Sequence, residues 1–94
     1  MTAPRIRRAA GHNWSLIRSP DDRPGDTDRH YATATPHGTV HAIGATDSPR
    51  WFWRVVSAGN VVARGEVRRQ RGETLDDVLA AVSRQAFVGA RCAA

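Results

Sequence analysis

The chain has 94 residues and a formal net charge of +5, and all 14 of its basic residues are arginine. This length predicts a single domain with a thin core. The lone cysteine, Cys92, excludes an internal disulfide and a cysteine-based metal site, and no apolar run is long enough for a secretory signal or a membrane span. We expect a soluble, cytoplasmic protein whose charge favours an acidic or polyanionic partner.

The first third of the chain has weak structural signals. Residues 1–12 are predicted to form a basic arm that carries Arg5, Arg7 and Arg8. Such an arm either enters a minor groove or stays disordered. Residues 13–18, NWSLIR, form either a short strand or an anchoring clip, and residues 19–28 are a loop rich in proline and acids. We treat residues 1–29 as an arm and an acidic loop that are partly disordered.

Residues 30–90 are predicted to form a compact domain. Extended runs flank a tight turn at Pro36-His37-Gly38, and strands follow at 50–56 and 61–68. Thr74 and Asp77 form a capping box at the start of a helix over 74–88, and Gly89 is its predicted C-terminal cap. The fold class is therefore α+β, with a three- or four-stranded antiparallel meander and one C-terminal helix on one face. The apolar stripe of the helix is Leu75, Val78, Leu79, Val82 and Ala86.

The length of the hairpin loop after the tryptophan strand decides which side chains face the core, because a register shift of one residue moves every side chain of a strand to the other face of the sheet. A two-residue Gly59-Asn60 loop suits a type II′ turn but directs Arg54 into the apolar face. A three-residue loop, Ala58 to Asn60, directs Trp51 and Trp53 inward instead. We favour the three-residue loop, since burying an unpaired arginine costs at least as much free energy as burying a large aromatic side chain gains.

The exposed sheet face is basic in either register, because Arg64 and Arg68 point away from the apolar positions. Arginine binds phosphate and can read guanine edges. The plainer interpretation is a solvated face in which Glu66 pairs with its arginine neighbours. The candidate contacts to nucleic acid or another partner are Phe52, Arg54, Arg64, Arg68, Arg69 and Arg71, together with Arg5, Arg7 and Arg8 in the arm.

No chemical motif indicates catalysis, so we predict that the chain is not an enzyme and has no cofactor. It contains no nucleophile elbow and no phosphate-cradling glycine loop. Neither His12 nor His30 lies at ligand spacing from His37 and His41, so we interpret all four as surface histidines and predict no metal site.

Residues 50–87 resemble AP2-type DNA-binding domains. The likeness is carried by the Trp-x-Trp strand (Trp51, Trp53), the hairpin, the RGEV strand and the TLDDVLAAV helix. In that family three strands precede one long helix, and arginines and tryptophans on the sheet meet DNA in the major groove. The resemblance implies that role for Arg54, Arg64 and Arg68. The family's arginine-bearing first strand is replaced here by GTVHAIG.

The chain also looks like small Ala/Arg-rich orphan proteins of high-GC bacteria and their phages. Some of these are compact α+β domains that block a host protein, which implies a protein-interaction module, such as a phage-encoded inhibitor or accessory factor. Our first hypothesis is a binding module for nucleic acid, and the second is this protein-interaction module, which would bind an acidic protein surface. A homodimer that pairs through an open sheet edge is the third.

Overall fold

The computed structural model describes residues 6–9, 11–17, 25 and 27–93 and shows an α+β fold. Six antiparallel strands form one sheet in which each strand pairs with its sequence neighbour, and one C-terminal helix packs on one face. The elements are β1 (Ile6–Ala9), β2 (His12–Leu16), β3 (Asp28–Thr35), β4 (Gly38–Ala45), β5 (Arg50–Ser57), β6 (Asn60–Arg68) and α1 (Leu75–Ala93).

The antiparallel sheet and the helix confirm the predicted fold class, but the prediction of three or four strands was wrong. The additional strands, β1 and β2, lie in the segment predicted as an arm followed by a short strand or clip. Trp14 is fully buried and fixes β2 against the core, and β1 pairs with β2 through Arg8 opposite Asn13. The sequence of β1, IRRA, contains too few large apolar residues for its strand periodicity to be visible.

Alternation along each strand divides the sheet into a core face and an exposed face. In β5, Trp51, Trp53 and Val55 are buried, whereas Arg50, Phe52 and Arg54 between them are exposed. The helix covers the core face through most of the predicted apolar stripe: Val78, Leu79, Val82 and Ala86. We call the opposite side of the sheet the outer face.

Two core tryptophans each lie over a glycine of a neighbouring strand. Trp51 is opposite Gly44 of β4, and Trp53 is opposite Gly65 of β6. A β-carbon on Gly65 would lie 2.6–2.8 Å from atoms of the Trp53 indole, far inside van der Waals contact, and one on Gly44 would collide with the Trp51 ring. The missing side chains provide the space that both indoles occupy.

The tryptophan hairpin has the predicted inward register. Trp51, Trp53 and Val55 are opposite Val67, Gly65 and Ala63. This arrangement removes the need to bury Arg54, which is exposed on the outer face. The alternative register, with the tryptophans outward, was wrong.

The loop of this hairpin differs from both predicted loops. Pairing continues to Ser57 and Asn60, so the turn consists of Ala58 and Gly59, whose φ angles are 50° and 80°. Positive φ at both central residues is typical of a type I′ turn. A bulge compensates for the shorter loop: Val61 is opposite Val56 and Ala63 is opposite Val55, which leaves Val62 unpaired. The bulge restores the inward register of the tryptophans.

The helix begins at the predicted capping box. The Thr74 N–H donates to Asp77 Oδ2 at 2.8 Å, and the Asp77 N–H donates to Thr74 Oγ1 at 3.3 Å. The predicted end at residue 88 was wrong, because α1 continues through Gly89 to Ala93. A glycine inside a helix costs only about 1 kcal/mol, and the alanines and arginine that follow favour helix. Within the described part of the chain, no helix is long and apolar enough to cross a membrane.

The indole N–H groups of the core are only partly satisfied. Trp53 Nε1 donates to Gln85 Oε1 at 3.1 Å and so links β5 to α1. Trp14 Nε1 and Trp51 Nε1 are buried without a hydrogen-bond partner among the described residues. An unpaired buried donor costs about 1–3 kcal/mol. These two tryptophans therefore stabilise the fold through the volume that they fill.

Gly65→Ala tests the packing of Trp53. The added methyl collides with the indole, so we expect the free energy of unfolding to fall by about 1–3 kcal/mol in urea titrations. In a Trp53→Phe background the smaller ring leaves room, and the same substitution should cost less. A double-mutant cycle measures this coupling. An equal cost in both backgrounds would contradict the contact.

Ala58→Asn tests the turn. An alanine at positive φ is strained by about 1–2 kcal/mol, and Asn-Gly is a preferred type I′ pair. We expect Ala58→Asn to raise the free energy of unfolding by up to about 1 kcal/mol. Ala58→Val is the opposing control, because a β-branched residue tolerates this conformation poorly and should destabilise. Stabilisation by valine would show that the turn has another geometry.

Candidate functional site

Strands β5 and β6 present four arginines on the outer face. Arg54 is directly opposite Arg64, and Arg50 is directly opposite Arg68. All four side chains are exposed. Opposite residues of antiparallel strands have β-carbons about 4.5–5.5 Å apart, and like charges in this arrangement destabilise a sheet. The face thus carries two adjacent pairs of like charges.

One carboxylate, Glu66, lies among these arginines. Arg50 Nε donates to Glu66 Oε1 at 3.0 Å, and both side chains are largely exposed. Exposure limits such an ion pair to about 0–1 kcal/mol. Among the described residues, Arg54, Arg64 and Arg68 form no ion pair, so this part of the outer face remains positively charged.

Phe52 lies between the two arginine pairs and is 51% exposed. It is opposite Ile43 on one side and Glu66 on the other. Two open depressions flank it, and Phe52 and Ile43 line both of them. The larger has a volume of about 540 Å³, and its other lining residues include Ile17, His30, Ser48 and Arg50. The smaller has about 260 Å³, and its walls include Arg54, Val61 and Arg64.

Two histidines on the outer face are in contact. His30 Nε2 and His41 Nδ1 are 2.8 Å apart, and one of the two nitrogens donates its hydrogen to the other. His41 is directly opposite Arg54, so the pair adjoins the arginines. The described residues contain no group of three or more potential metal ligands. The two histidines thus form a hydrogen-bonded pair beside Arg54.

The surroundings of this pair disfavour its charged form. Burial of the ring, then the adjacent His41, then the Arg54 guanidinium lower the pKa of His30 below its ordinary value. Burial and Arg54 lower the pKa of His41 in the same direction. Both rings are thus held neutral to lower pH than a free histidine.

The structure brings together four of the predicted site residues: Phe52, Arg54, Arg64 and Arg68 are neighbours on the outer face. Arg69 does not join them. Its guanidinium Nη2 donates to the Thr46 carbonyl at 3.0 Å, and its N–H donates to the Pro49 carbonyl at 2.7 Å. Arg69 therefore braces the connection between β4 and β5.

The remaining predicted residues lie apart from this group. Arg71 is exposed in the turn before α1. Arg8 is exposed in β1, which is one edge strand of the sheet, whereas β6 is the other. Arg5 and the side chain of Arg7 lie outside the described part of the structure, although the backbone of Arg7 is in β1.

The sequence analysis missed Arg50, His30 and His41. Arg50 shares its face with Phe52 by simple alternation, so the signal was present. The histidines required the register of β3 and β4. Their two-residue turn puts Thr35 opposite Gly38, which places His41 opposite Ala32 and Ile43 opposite His30. The sequence analysis treated His30 and His41 as separate surface histidines, whereas the β3–β4 hairpin brings their rings into contact.

Comparisons of the chain with known protein families, with curated proteins and with solved structures returned no match. The site must therefore be interpreted from its own geometry and charge.

The lowered histidine pKa values predict how stability depends on pH. Below about pH 6.5 the unfolded chain takes up protons that the folded chain takes up only at lower pH, so the free energy of unfolding falls. We expect this decrease to be smaller in the His30→Gln/His41→Gln variant. Urea titrations at about pH 7.5 and 5.5 measure it. His37→Gln, in the exposed β3–β4 turn, is the matched control, and an unchanged decrease in the double variant would contradict the assignment.

Proposed function

We propose that the chain is a non-enzymatic binding module that engages nucleic acid through the outer face of β5 and β6. The observation that carries the proposal is the strand register, which places Arg54 directly opposite Arg64 and Arg50 directly opposite Arg68. Such pairs reduce the stability of a sheet on their own, and a phosphate placed between two guanidinium groups reverses that effect.

Arginine suits phosphate in particular. Its planar fork of donors makes paired hydrogen bonds to phosphate oxygens, and it stays charged at any physiological pH. Arg54, Arg64 and Arg68 have no ion-pair partner among the described residues, so their charge is available to a polyanion. Arg8, outward on β1, extends the positive charge toward the other edge of the sheet.

The other residues proposed from the sequence take lesser roles. Arg71 lies exposed at the end of the sheet where α1 begins and can add long-range attraction. Arg69 is engaged with backbone carbonyl oxygen and contributes mainly by holding the β4–β5 connection. Arg5 remains a candidate for an accessory contact from an N-terminal arm, and Arg7 remains one from strand β1.

A specific observation supports a second candidate, a protein-interaction module. Three large apolar side chains of the hairpin are exposed: Phe52 at 51%, Val61 at 54% and Val62 at 37%. An aromatic residue among arginines is a common composition for an interaction hot spot. In this alternative the partner is an acidic protein surface. The third candidate, a homodimer, would instead pair two copies of the chain along an open sheet edge such as β6.

A salt titration tests the proposal. We expect labelled DNA, supplied both as single strand and as duplex, to be bound at about 50 mM salt and released at about 200 mM. Because each phosphate contact contributes about 0.7–0.9 to the slope of log affinity against log salt, Arg54→Ala and Arg64→Ala should each reduce the slope by roughly that amount. Fluorescence anisotropy measures both quantities.

Arg84→Ala is the matched control, because Arg84 is exposed on α1, on the other side of the sheet, and its loss changes the net charge equally. If Arg64→Ala and Arg84→Ala weaken DNA binding equally, the binding depends on net charge alone and not on the outer face. An absence of binding to either form of DNA at low salt would contradict the proposal and favour the protein-interaction alternative.

A further inference from the structure

We infer that the outer face binds nucleic acid as a single strand, with its bases laid on either side of Phe52. This inference rests on the proposed function and specifies the form of the ligand. It follows from three features of the described residues: the width of the sheet, the position of Phe52 between two depressions, and the distribution of charge around them.

The width of the sheet opposes a duplex. Six strands about 4.8 Å apart span roughly 24 Å, whereas the major groove is about 12 Å wide and admits a helix or a two-stranded ribbon. The β5–β6 hairpin could enter as a ribbon only through its free end. That end consists of Ala58 and Gly59 with Val56, Val61 and Val62 behind them, and it carries no arginine. The cationic part of the hairpin lies further back, on the broad surface.

The position of Phe52 favours unpaired bases. Its ring forms a ridge, and the depressions on its two sides, of about 540 and 260 Å³, are open to solvent. In a duplex the faces of the bases are stacked inside and do not reach such a ring. In a single strand they are free to stack on it, and base–aromatic stacking on a sheet surface is a recurrent mode of single-strand binding.

The charges are placed to follow a backbone past this ridge. Arg50 borders the larger depression, and Arg54 and Arg64 border the smaller one. Arg50 and Arg54 are four residues apart on β5, which separates their α-carbons by about 13 Å. A strand that crosses Phe52 thus meets Arg54 and Arg64 on one side of the stacked bases and, on the other, Arg50, whose charge Glu66 partly neutralises.

Polar groups in the larger depression provide hydrogen bonds to base edges. His30 and Ser48 line it together with the apolar Ile17 and Ile43, and the charged Asp28 and Arg29 also border it. A mixed lining of this kind holds a planar, partly polar ring better than it holds a bare phosphate. The smaller depression has an apolar wall, Val61, beside its two arginines, so we assign the more extensive base contacts to the larger one.

The test compares ligands of equal length and sequence: labelled single-stranded DNA, the corresponding RNA, and the DNA duplex, each at about 50 mM salt in anisotropy titrations. We expect a single strand, of DNA or RNA, to bind at least about tenfold more tightly than the duplex. Phe52→Ala should weaken single-strand binding by about 5- to 140-fold, the range for loss of one stacked base. It should leave duplex binding unchanged.

Two further variants make the result specific. Phe52→Tyr keeps an aromatic ring and should retain most of the affinity, whereas Val62→Ala removes an exposed apolar side chain of the same hairpin outside both depressions and should have no effect. Because Phe52 is half exposed, its replacement also removes part of its packing, so circular dichroism is used to verify that Phe52→Ala is folded at the temperature of the titrations.

The outcomes separate this inference from the proposed function. Duplex binding as tight as single-strand binding, with no effect of Phe52→Ala, would overturn the single-strand assignment and leave nucleic-acid binding intact. Failure of all three ligands to bind would overturn both. Tighter binding of either single strand than of the duplex would support the inference, and the difference between RNA and DNA would then identify the sugar that the face selects.

Discussion

The packing of Trp51 and Trp53 over two glycines is the constraint on which the rest of the structure depends. Gly44 and Gly65 are the positions opposite these indoles, and neither has room for a side chain. Because side chains alternate along a strand, the inward direction of the two tryptophans forces Arg50, Phe52 and Arg54 outward. The composition of the outer face is therefore a consequence of the way in which the core is filled.

The single helix determines what remains uncovered. α1 closes one face of a six-stranded sheet, and no second element among the described residues covers the other. A solvent-exposed face of a sheet can consist simply of small polar side chains. Here it contains two pairs of opposed arginines, an exposed phenylalanine and a hydrogen-bonded pair of histidines. The opposed arginines reduce the stability of the sheet and Phe52 leaves apolar area in water, and a bound partner that is anionic and aromatic would offset both effects.

Local signals predicted the later part of the fold well. The capping box located the start of α1, the Pro36-His37 turn located the β3–β4 hairpin, and the cost of burying Arg54 selected the correct register for the tryptophans. The predictions failed where tertiary contacts decide. β1 has almost no apolar signal and exists because β2 and the core hold it, and α1 passes through Gly89 because the residues beyond it favour helix.

The candidate site was predictable to a similar extent. Alternation alone placed Phe52, Arg54, Arg64 and Arg68 on one face once the register was chosen. The contact between His30 and His41 could be predicted only from the pairing of β3 with β4. The hydrogen bond that holds Arg69 at the Thr46 carbonyl, away from the other arginines, could be predicted only from the conformation of the β4–β5 loop. Neither is contained in the local sequence. Partner identity is a step further removed, since charge and shape restrict the chemistry of a ligand without specifying its sequence.

The order of the strands also has a consequence for how the chain folds. Each strand pairs with the next one in sequence, so most of the sheet consists of local hairpins with short loops. Loops of this kind close quickly and at small entropic cost. The contact between α1 and β1 is different, because it joins the last element of the chain to the first. We expect the central hairpins to form early and the docking of the two ends to complete the transition, so that the edge at β1 is the first part of the sheet to open.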